Sequence, residues 1–300
     1  MRMTFRAMNT DVGVAAPGLA PDEELALAQR VADVFEASER TYSRFRHDSE
    51  LSALNRASGP TTVSAELLDV LHRARRYSHL TGGAFDPAIG GALVALGYDR
   101  SFAPGALDRA ASAVAPRAAS ILDLLLDNAT RSVRRPPALQ IDLGGLVKGR
   151  TADLAAALLP VPGYIDAGGD AVLRGDGPDG GGWLVDVEDP CEPERTVLAL
   201  RVRDRAVATS APNRRRWRLG AGEAHHLIDP RTMRSADTDL AQVTVVAASA
   251  ELADVLAKTT FILGARAGRA FLARLPEVGA VLVRRDAMVE LIGDLEVADA

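Results

Sequence analysis

The stretch 139–159 combines a carboxylate, two glycines and a lysine in an order that suits the binding of an anion. Its sequence, LQIDLGGLVKGRTADLAAALL, predicts a short apolar strand, a turn and an Ala/Leu-rich helix. Such a turn directs backbone N–H groups and the positive end of a helix toward one point, which Asp142, Gly144, Gly145 and Lys148 would surround. Gly-Gly turns before helices often have only a structural role, so this stretch is either an anion-binding site or an ordinary turn.

Two further pairs of titratable residues suit catalysis or metal binding. His226 lies three residues before Asp229, near a predicted strand end. There it would act as a general base, bind a metal or form an ordinary surface hydrogen bond. Asp254 and Lys258 are four residues apart on a predicted helix and therefore share a face. They form either an exposed ion pair worth about 0.2–0.5 kcal/mol or part of a site.

The elements that must position these groups follow from the hydrophobic pattern. Helical spacing and capping residues predict helices over 22–45, 64–82 and 250–263, with a shorter helical turn after Ser49. Apolar runs predict strands over 163–174, 183–189, 196–210 and 241–249, and a C-terminal hairpin over 278–293. Helices and strands interleave without a regular β-α-β period, so the sequence predicts an α+β fold with a mixed, largely antiparallel sheet. No linker or repeat divides the chain, which predicts a single domain over 1–300.

Composition and missing motifs exclude several classes of function. A net charge of −5 disfavours binding to nucleic acid or to anionic membranes, and a single cysteine excludes an internal disulfide. The N-terminal segment lacks the pattern of an export signal and no apolar run reaches about eighteen residues, which predicts a cytoplasmic protein without membrane insertion. No G-x-S-x-G, P-loop, G-x-G-x-x-G or H-E-x-x-H motif occurs, so hydrolase-triad, kinase, Rossmann and zinc-peptidase functions lose their usual support.

The segment AFDPAIGGALVALGY is a second candidate binding element. It places one aromatic ring, Phe85, and one carboxylate, Asp86, in an otherwise apolar and glycine-rich run. Loops of this composition often bind ligands, but an Asp-Pro turn with a structural role explains the residues equally well.

Eight segments in a fixed order carry a resemblance to a known family. In chain order they are Met8-Asn9-Thr10, SRFRHDSELSALN, TGGAFDPAIG, DLGGLVKGRTAD, IDAGGDAVLRG, VATS, HHLIDPRT and ADVLAKTTFILG. Together they resemble the ApbE family of flavin transferases (FAD:protein FMN transferases), and they extend over nearly the whole chain.

The resemblance implies a single α+β domain that binds FAD, with Mg2+ on the pyrophosphate. A Ser or Thr hydroxyl of a partner flavoprotein would attack the FMN phosphorus, AMP would leave, and FMN would remain on the partner through a phosphoester bond. The partner would carry an acceptor motif of the type Asp-x-x-(Ser/Thr)-(Gly/Ala)-Thr. A hard cation with oxygen ligands suits such chemistry because it neutralises the charge of the pyrophosphate.

The same resemblance assigns cofactor-binding roles to individual residues. Met8 would lie near the flavin entry segment, Ile228 would contact the flavin and Phe45 would stack on a ring. The adenine side of FAD would be contacted by Ala84, Phe85 and Asp86, and FAD would also be touched by Asp142 and Lys148.

The remaining implied roles concern catalysis and metal binding. His226 would be the base on the incoming hydroxyl, Asp254 a catalytic carboxylate and metal ligand, and the Gly145 carbonyl a second metal ligand. We therefore expect Asp142, His226 and Asp254 to converge on the diphosphate of FAD.

The chain departs from the family pattern at three places. Lys258 stands four residues after Asp254, where the family usually has a Thr metal ligand, and an ammonium cannot coordinate Mg2+. Either Lys258 neutralises the pyrophosphate itself, or Thr259 takes over as ligand, or metal binding is weak. Residues 211–213 and Met233 also differ from the usual pattern and are expected to change loop shape near the acceptor.

These departures leave two alternatives to flavin transfer. One is a Mg-dependent FAD pyrophosphatase that releases FMN and AMP to water. The other is a non-catalytic FAD-binding protein.

Overall fold

Segments with two-residue apolar alternation and segments with helical spacing both occur along the chain, and they form strands and helices in an α+β arrangement. The structure is a computed structural model that describes residues 2–101, 108–109, 119–178, 180–220 and 222–298. The α+β class and the largely antiparallel sheet predicted from the sequence are confirmed.

Six α-helices lie within the described residues. They are α1 (Pro21–Tyr42), α2 (Glu50–Arg56), α3 (Ala65–Leu80), α4 (Gly90–Ala95), α5 (Val147–Ala156) and α6 (Ala250–Leu272).

The strands of the described residues are short and number eighteen. They are β1 (Met3–Ala7), β2 (Thr10–Ala15), β3 (Thr61–Thr62), β4 (Asp108–Arg109), β5 (Leu125–Asp127), β6 (Ser132–Arg134), β7 (Gly163–Ala167), β8 (Asp170–Arg174), β9 (Trp183–Glu188), β10 (Thr196–Val202), β11 (Arg205–Ser210), β12 (Arg216–Leu219), β13 (Gly222–His225), β14 (Ile228–Asp229), β15 (Arg234–Ser235), β16 (Leu240–Ala247), β17 (Gly279–Arg284) and β18 (Val289–Ile292).

The chain folds into two compact units. The first unit comprises the segments up to Glu36, Lys148–Ala211 and from Thr238 onward, and the second comprises Ala37–Val147 and Pro212–Asp237. The single domain predicted over 1–300 stays a prediction. Among the described residues, no helix combines the length and the apolar character needed to cross a membrane.

The first unit is built on an eight-stranded sheet in the order β1-β2-β7-β8-β11-β16-β17-β18. Every neighbouring pair in it is antiparallel. Successive side chains point to opposite faces, so Val172 packs in a core with Val31 and Phe35 of α1, whereas Ala171 and Leu173 pack in a second core. Helix α6 lies against β11 and β16.

The second unit combines α2, α3 and α4 with three small sheets, β3-β6-β5, β13-β12-β4 and β14-β15. Helix α3 begins where the sequence predicts, because the Ser64 hydroxyl accepts a hydrogen bond from Leu67 N at 3.1 Å. Its predicted apolar face is buried, with Leu67, Leu71 and Ala74 at 0% exposure.

The strand predicted at the start of 139–159 is wrong. Residues 139–143 form no strand, although Leu139 and Ile141 are buried as their apolar character requires. Their backbone groups are satisfied outside any ladder. Ile141 N donates to the Asn55 side chain at 2.9 Å, and the Ile141 carbonyl accepts from the same side chain at 2.8 Å. An asparagine amide therefore takes the place of a neighbouring strand.

Helix α6 is longer than the predicted 250–263 because a kink joins two helical segments. Gly264 has φ 78° and ψ 170°, a conformation that interrupts the helix and favours glycine. The next residue restarts it, since Ala265 N donates to the Asp239 carboxylate at 2.9 Å. The pattern indicated a helix end at Gly264, and the side chain of Asp239 converts that end into a kink.

Candidate active site

Four charged side chains of the first unit form what we call the acid–ammonium cluster: Lys148, Asp170, Asp254 and Lys258. Lys148 lies in the first turn of α5, Asp170 begins β8, and Asp254 and Lys258 lie one turn apart on α6. The cluster therefore depends on two helices and one strand that are distant along the chain.

Each carboxylate of the cluster is bonded to one ammonium. Lys148 Nζ donates to Asp170 Oδ2, and Lys258 Nζ donates to Asp254 Oδ1. Lys148 Nζ also donates to the Ala167 carbonyl at 3.0 Å, just before the turn that leads into β8. These bonds fix the two ammonium groups against buried acceptors.

Asp254 and Lys258 form a largely buried ion pair and not the exposed ion pair that their spacing in the sequence allowed. The side chains of Asp170 and Asp254 are each 1% exposed, whereas those of Lys148 and Lys258 are 14% and 17% exposed. Burial raises the pKa of Asp170 to about 6, and the nearby Asp254 carboxylate adds to the rise, while Lys148 and Lys258 oppose it. The lysine side chains are thus the more exposed members of the cluster and the carboxylates the buried ones.

The crossing of α5 and α6 sets the position of the cluster. Gly149 packs so closely on the start of α6 that an added Cβ would lie 2.4 Å from the Ala250 carbonyl oxygen. Asp153, one turn further along α5, accepts from Ala250 N at 2.8 Å and from Glu251 N at 2.9 Å. Burial raises the pKa of Asp153, while these two backbone hydrogen bonds act to lower it. The first turn of α6 is therefore held directly by α5.

A second candidate group, the Arg44 cluster, lies in the second unit and consists of Arg44, Phe45, Tyr98, Asp142 and Trp217. The Arg44 guanidinium carbon lies 4.0 Å from the centroid of the Phe45 ring and 4.7 Å from that of Tyr98. The Tyr98 ring in turn packs against the Trp217 ring, and their centroids are 5.5 Å apart. Arg44 Nε donates to Asp142 Oδ2, and the Arg44 side chain is 9% exposed.

Asp142 is thus engaged on both sides. Its Oδ1 accepts a hydrogen bond from Gly144 N at 2.8 Å, and this bond closes the turn before α5. Its Oδ2 accepts a hydrogen bond from Arg44. Arg44 Nη2 is buried and has no hydrogen-bond partner within the described residues. Asp142 therefore orients an arginine whose Nη2 still has N–H donors to satisfy, a property that suits the binding of an anionic or carbonyl oxygen.

The Ala84-Phe85-Asp86 segment has a clear structural role. All three residues are at most 6% exposed. The Asp86 carboxylate accepts from Ser120 Oγ at 2.6 Å and from Ile121 N at 3.0 Å, and the Phe85 ring meets Tyr77 edge to face. The structural alternative for this Asp-Pro turn is therefore realised, and the predicted contact with adenine stays a prediction.

His226 is held by the backbone and is not paired with Asp229. His226 Nδ1 lies 3.3 Å from the Arg215 carbonyl, and a proton on Nδ1 leaves the lone pair on Nε2, the form that a general base needs. Asp229 instead binds Arg231, accepting from its Nη2 at 2.7 Å and from its Nε at 2.9 Å. The side-chain hydrogen bond that Arg231 donates to Asp229 raises the pKa of Arg231.

Comparison with known proteins decides the family. A family model described as the ApbE family matches residues 8–282. The chain belongs to the ApbE family. Among its relatives, the FAD:protein FMN transferase of Treponema pallidum is 31% identical over 284 residues, which cover 88% of this chain and 78% of that protein. The FAD:protein FMN transferase of Vibrio cholerae is 29% identical over 264 residues, which cover 86% and 78%.

Solved ApbE structures share the fold. The ApbE protein of Thermotoga maritima has a TM-score of 0.85 at 22% identity, covering 97% of this chain and 96% of that one. The flavin transferase ApbE of Vibrio cholerae has a TM-score of 0.79 at 25% identity, covering 99% and 96%.

The acid–ammonium cluster of this ApbE protein does not fit the Mg2+ that the resemblance implies. Asp254 Oδ2 is buried without a hydrogen-bond partner in the described chain, which by itself suits a cation. However, the described residues contain no group of three or more His, Cys, Asp or Glu side chains able to hold a metal. Lys258 is also bonded to the same carboxylate. A divalent cation about 4 Å from an ammonium is repelled by roughly 8 kcal/mol at an effective dielectric constant near 20, twice the value for two unit charges.

The alternative metal ligand suggested by the sequence is also committed elsewhere. Thr259 is fully buried, and its hydroxyl donates to the Val255 carbonyl at 2.8 Å, within α6. Gly145, the other residue expected to bind the metal, belongs to the second unit. The role of Gly145 as a ligand stays a prediction.

The remaining expected ApbE site residues lie in well-defined places. Met8 has φ 49° in the tight turn between β1 and β2 and packs on the core of the first unit. Ile228 is 1% exposed and packs in the same core as Trp217, against which Phe45 also packs. Asp142 and His226 belong to the second unit and Asp254 to the first, so their convergence on one diphosphate stays a prediction.

Sequence reasoning missed four members of these groups, Asp170, Arg44, Tyr98 and Trp217. Asp170 and Arg44 lie inside segments that carry the ApbE resemblance, IDAGGDAVLRG and SRFRHDSELSALN. The available signal for Asp170 was a carboxylate directly after a Gly-Gly turn at the start of a strand that is otherwise apolar. For Arg44 it was a cation next to an aromatic residue between two helices.

Proposed function

We propose that this chain is an FAD:protein FMN transferase that moves FMN from FAD to a Thr or Ser hydroxyl of a partner flavoprotein. The observation that carries the proposal is membership of the ApbE family over residues 8–282. It is supported by relatives that are named FAD:protein FMN transferase and that match this chain over most of their length. The acid–ammonium cluster supports it, because its two partly exposed lysines suit a substrate whose reacting part is a diphosphate.

The proposed reaction is a substitution at phosphorus. The acceptor oxygen forms a bond to the FMN phosphorus while the bond from that phosphorus to the bridging oxygen breaks. AMP leaves with the bridging oxygen, and the hydroxyl proton passes to a base. Little covalent work falls to the protein, so positioning and charge neutralisation dominate catalysis.

Each unit contributes groups suited to one part of this reaction. In the first unit, Lys148 and Lys258 would bind phosphate oxygens, with Asp170 and Asp254 holding them in place. In the second unit, His226 would accept the proton at Nε2, oriented by the Arg215 carbonyl.

The Arg44 cluster would serve the cofactor. Phe45, the half-buried ring of this cluster, would stack on a ring of FAD, whereas Tyr98 and Trp217 are buried. The unpaired Arg44 Nη2 offers donors to a ligand oxygen. This assignment keeps Phe45 and Asp142 among the cofactor-binding residues. Asp142 then acts through Arg44.

The partner and the cellular location belong to the same proposal. We expect the acceptor to carry the motif Asp-x-x-(Ser/Thr)-(Gly/Ala)-Thr and both proteins to meet in the cytoplasm. A scan of acceptor peptides in which each motif position is replaced in turn tests the first point. Cell fractionation tests the second.

The decisive experiment incubates the purified protein with FAD, Mg2+ and a protein that carries this motif, and follows the acceptor by mass spectrometry. FMN covalently attached to the acceptor supports the transferase. FMN and AMP released at the same rate with and without acceptor would establish the pyrophosphatase, and intact FAD would establish a binding protein. The variant His226→Gln should slow transfer roughly 10²-fold or more, as expected for loss of a general base, whereas the exposed His79→Gln should not.

A further inference from the structure

We infer that Lys258, together with Lys148, takes the place of a divalent cation on the diphosphate, so that this chain transfers FMN without a bound metal ion. The inference rests on the proposed function and specifies how its phosphate-binding site works. It starts from the disagreement between the cluster and the Mg2+ that the family resemblance implies.

The first argument is the occupancy of the carboxylates. A metal site needs several oxygen ligands free to face the ion. Here one oxygen of Asp254 is bonded to Lys258 and one oxygen of Asp170 to Lys148, so each carboxylate already has a cationic partner. Two negative and two positive charges balance within the cluster, and no uncompensated carboxylate charge remains to attract a cation.

The second argument is which side chains of the cluster are accessible to a ligand. Both carboxylates are 1% exposed, whereas the lysine side chains are 14% and 17% exposed. A ligand that approaches from solvent therefore meets the lysine side chains before the carboxylates. Such a surface binds the oxygens of a diphosphate, which is also the group a metal ion would otherwise hold.

The third argument is the number of available donors. An ammonium has three N–H donors. In the described structure Lys258 directs one of them to Asp254, and Lys148 directs two, to Asp170 and to the Ala167 carbonyl. Three donors remain for phosphate oxygens. Lys258 and Lys148 can therefore supply both charge and hydrogen bonds where a metal would supply charge and coordination.

The experiment measures metal binding separately from activity. Mn2+, whose electron paramagnetic resonance signal reports the bound fraction, is titrated into the parent, into Lys258→Thr and into Lys258→Gln in the presence of FAD. The control variant Arg266→Thr removes an exposed cation from the same helix. We expect no stoichiometric Mn2+ binding by the parent, Lys258→Gln or Arg266→Thr, and one bound Mn2+ in Lys258→Thr.

Transfer is then measured with EDTA and with added Mg2+. The parent should transfer FMN at rates that differ by less than about twofold between the two conditions, whereas Lys258→Gln should lose roughly a hundredfold, as for a removed charge-stabilising donor. Stoichiometric Mn2+ binding by the parent, or transfer abolished by EDTA, overturns the inference while leaving the transferase proposal intact. Absence of transfer under every condition overturns the proposed function instead, and the Mn2+ titration still decides whether the cluster is a metal site.

Discussion

Replacing Gly149 by alanine tests whether the α5–α6 crossing holds the acid–ammonium cluster together. An alanine Cβ at this position would lie 2.4 Å from the Ala250 carbonyl oxygen, 2.6 Å from its carbon and 2.8 Å from Glu251 N. These are backbone atoms at the start of a helix, so they cannot rotate away as a side chain can. The two helices must separate, and Lys148 must move with the chain next to it.

The magnitude follows from two opposing contributions. Forcing a methyl group into a tight contact costs about 1–3 kcal/mol, and the backbone contact places Gly149→Ala near the upper end. Alanine in a helix interior recovers about 1 kcal/mol relative to glycine. We therefore expect the free energy of unfolding to fall by about 2 kcal/mol.

The assay is urea unfolding, with Gly91→Ala as the matched control. Gly91 also lies in a helix, but an added Cβ there meets only the Gln140 Cβ at 4.0 Å. The control should gain up to about 1 kcal/mol, so the two substitutions should change stability in opposite directions. A Gly149→Ala protein as stable as the parent would refute the argument, and so would equal losses in both variants.

Three further perturbations test other parts of the structure. Arg44→Lys keeps the charge but loses the planar stacking on Phe45, and should raise the KM for FAD about tenfold in steady-state assays, with a smaller change in kcat. Burial raises the pKa of Asp170 from 3.8 to about 6 in the folded chain, so the folded state holds this proton more tightly than the unfolded state. The stability that this proton contributes at low pH should be lost as the pH rises from 3.8 to about 6. Over that pH range the midpoint of urea unfolding should fall in the parent and fall less in Asp170→Asn. Gly264→Ala forces an alanine to φ 78° and should lower the unfolding free energy by about 1–2 kcal/mol in a thermal melt, whereas an unchanged melt would show that the kink is not strained.

Local chemistry explains what the sequence predicted well. Ser49, Ser64 and Ser249 each precede a helix and accept a hydrogen bond from a backbone N–H inside it, so helix starts could be located from neighbouring residues alone. The C-terminal hairpin was predicted for the same reason, because β17 and β18 are joined by a short polar turn.

What the sequence could not supply depends on distant residues. The segment 139–143 resembles a strand in composition, but Asn55 satisfies its backbone groups. The spacing of Asp254 and Lys258 predicted their contact, whereas their burial depends on the sheet beneath α6. The pairing of Arg44 with Asp142 joins residues 98 positions apart, and no local pattern indicates it.

The anchoring of α6 on α5 means that the backbone position of the acid–ammonium cluster does not depend on the identity of residue 258. Asp153 and Gly149 determine where the helix starts, so the residue presented two turns later can change without disturbing the scaffold. Under the role proposed for Lys258, one codon at position 258 would then decide whether a transferase built on this scaffold requires a metal ion.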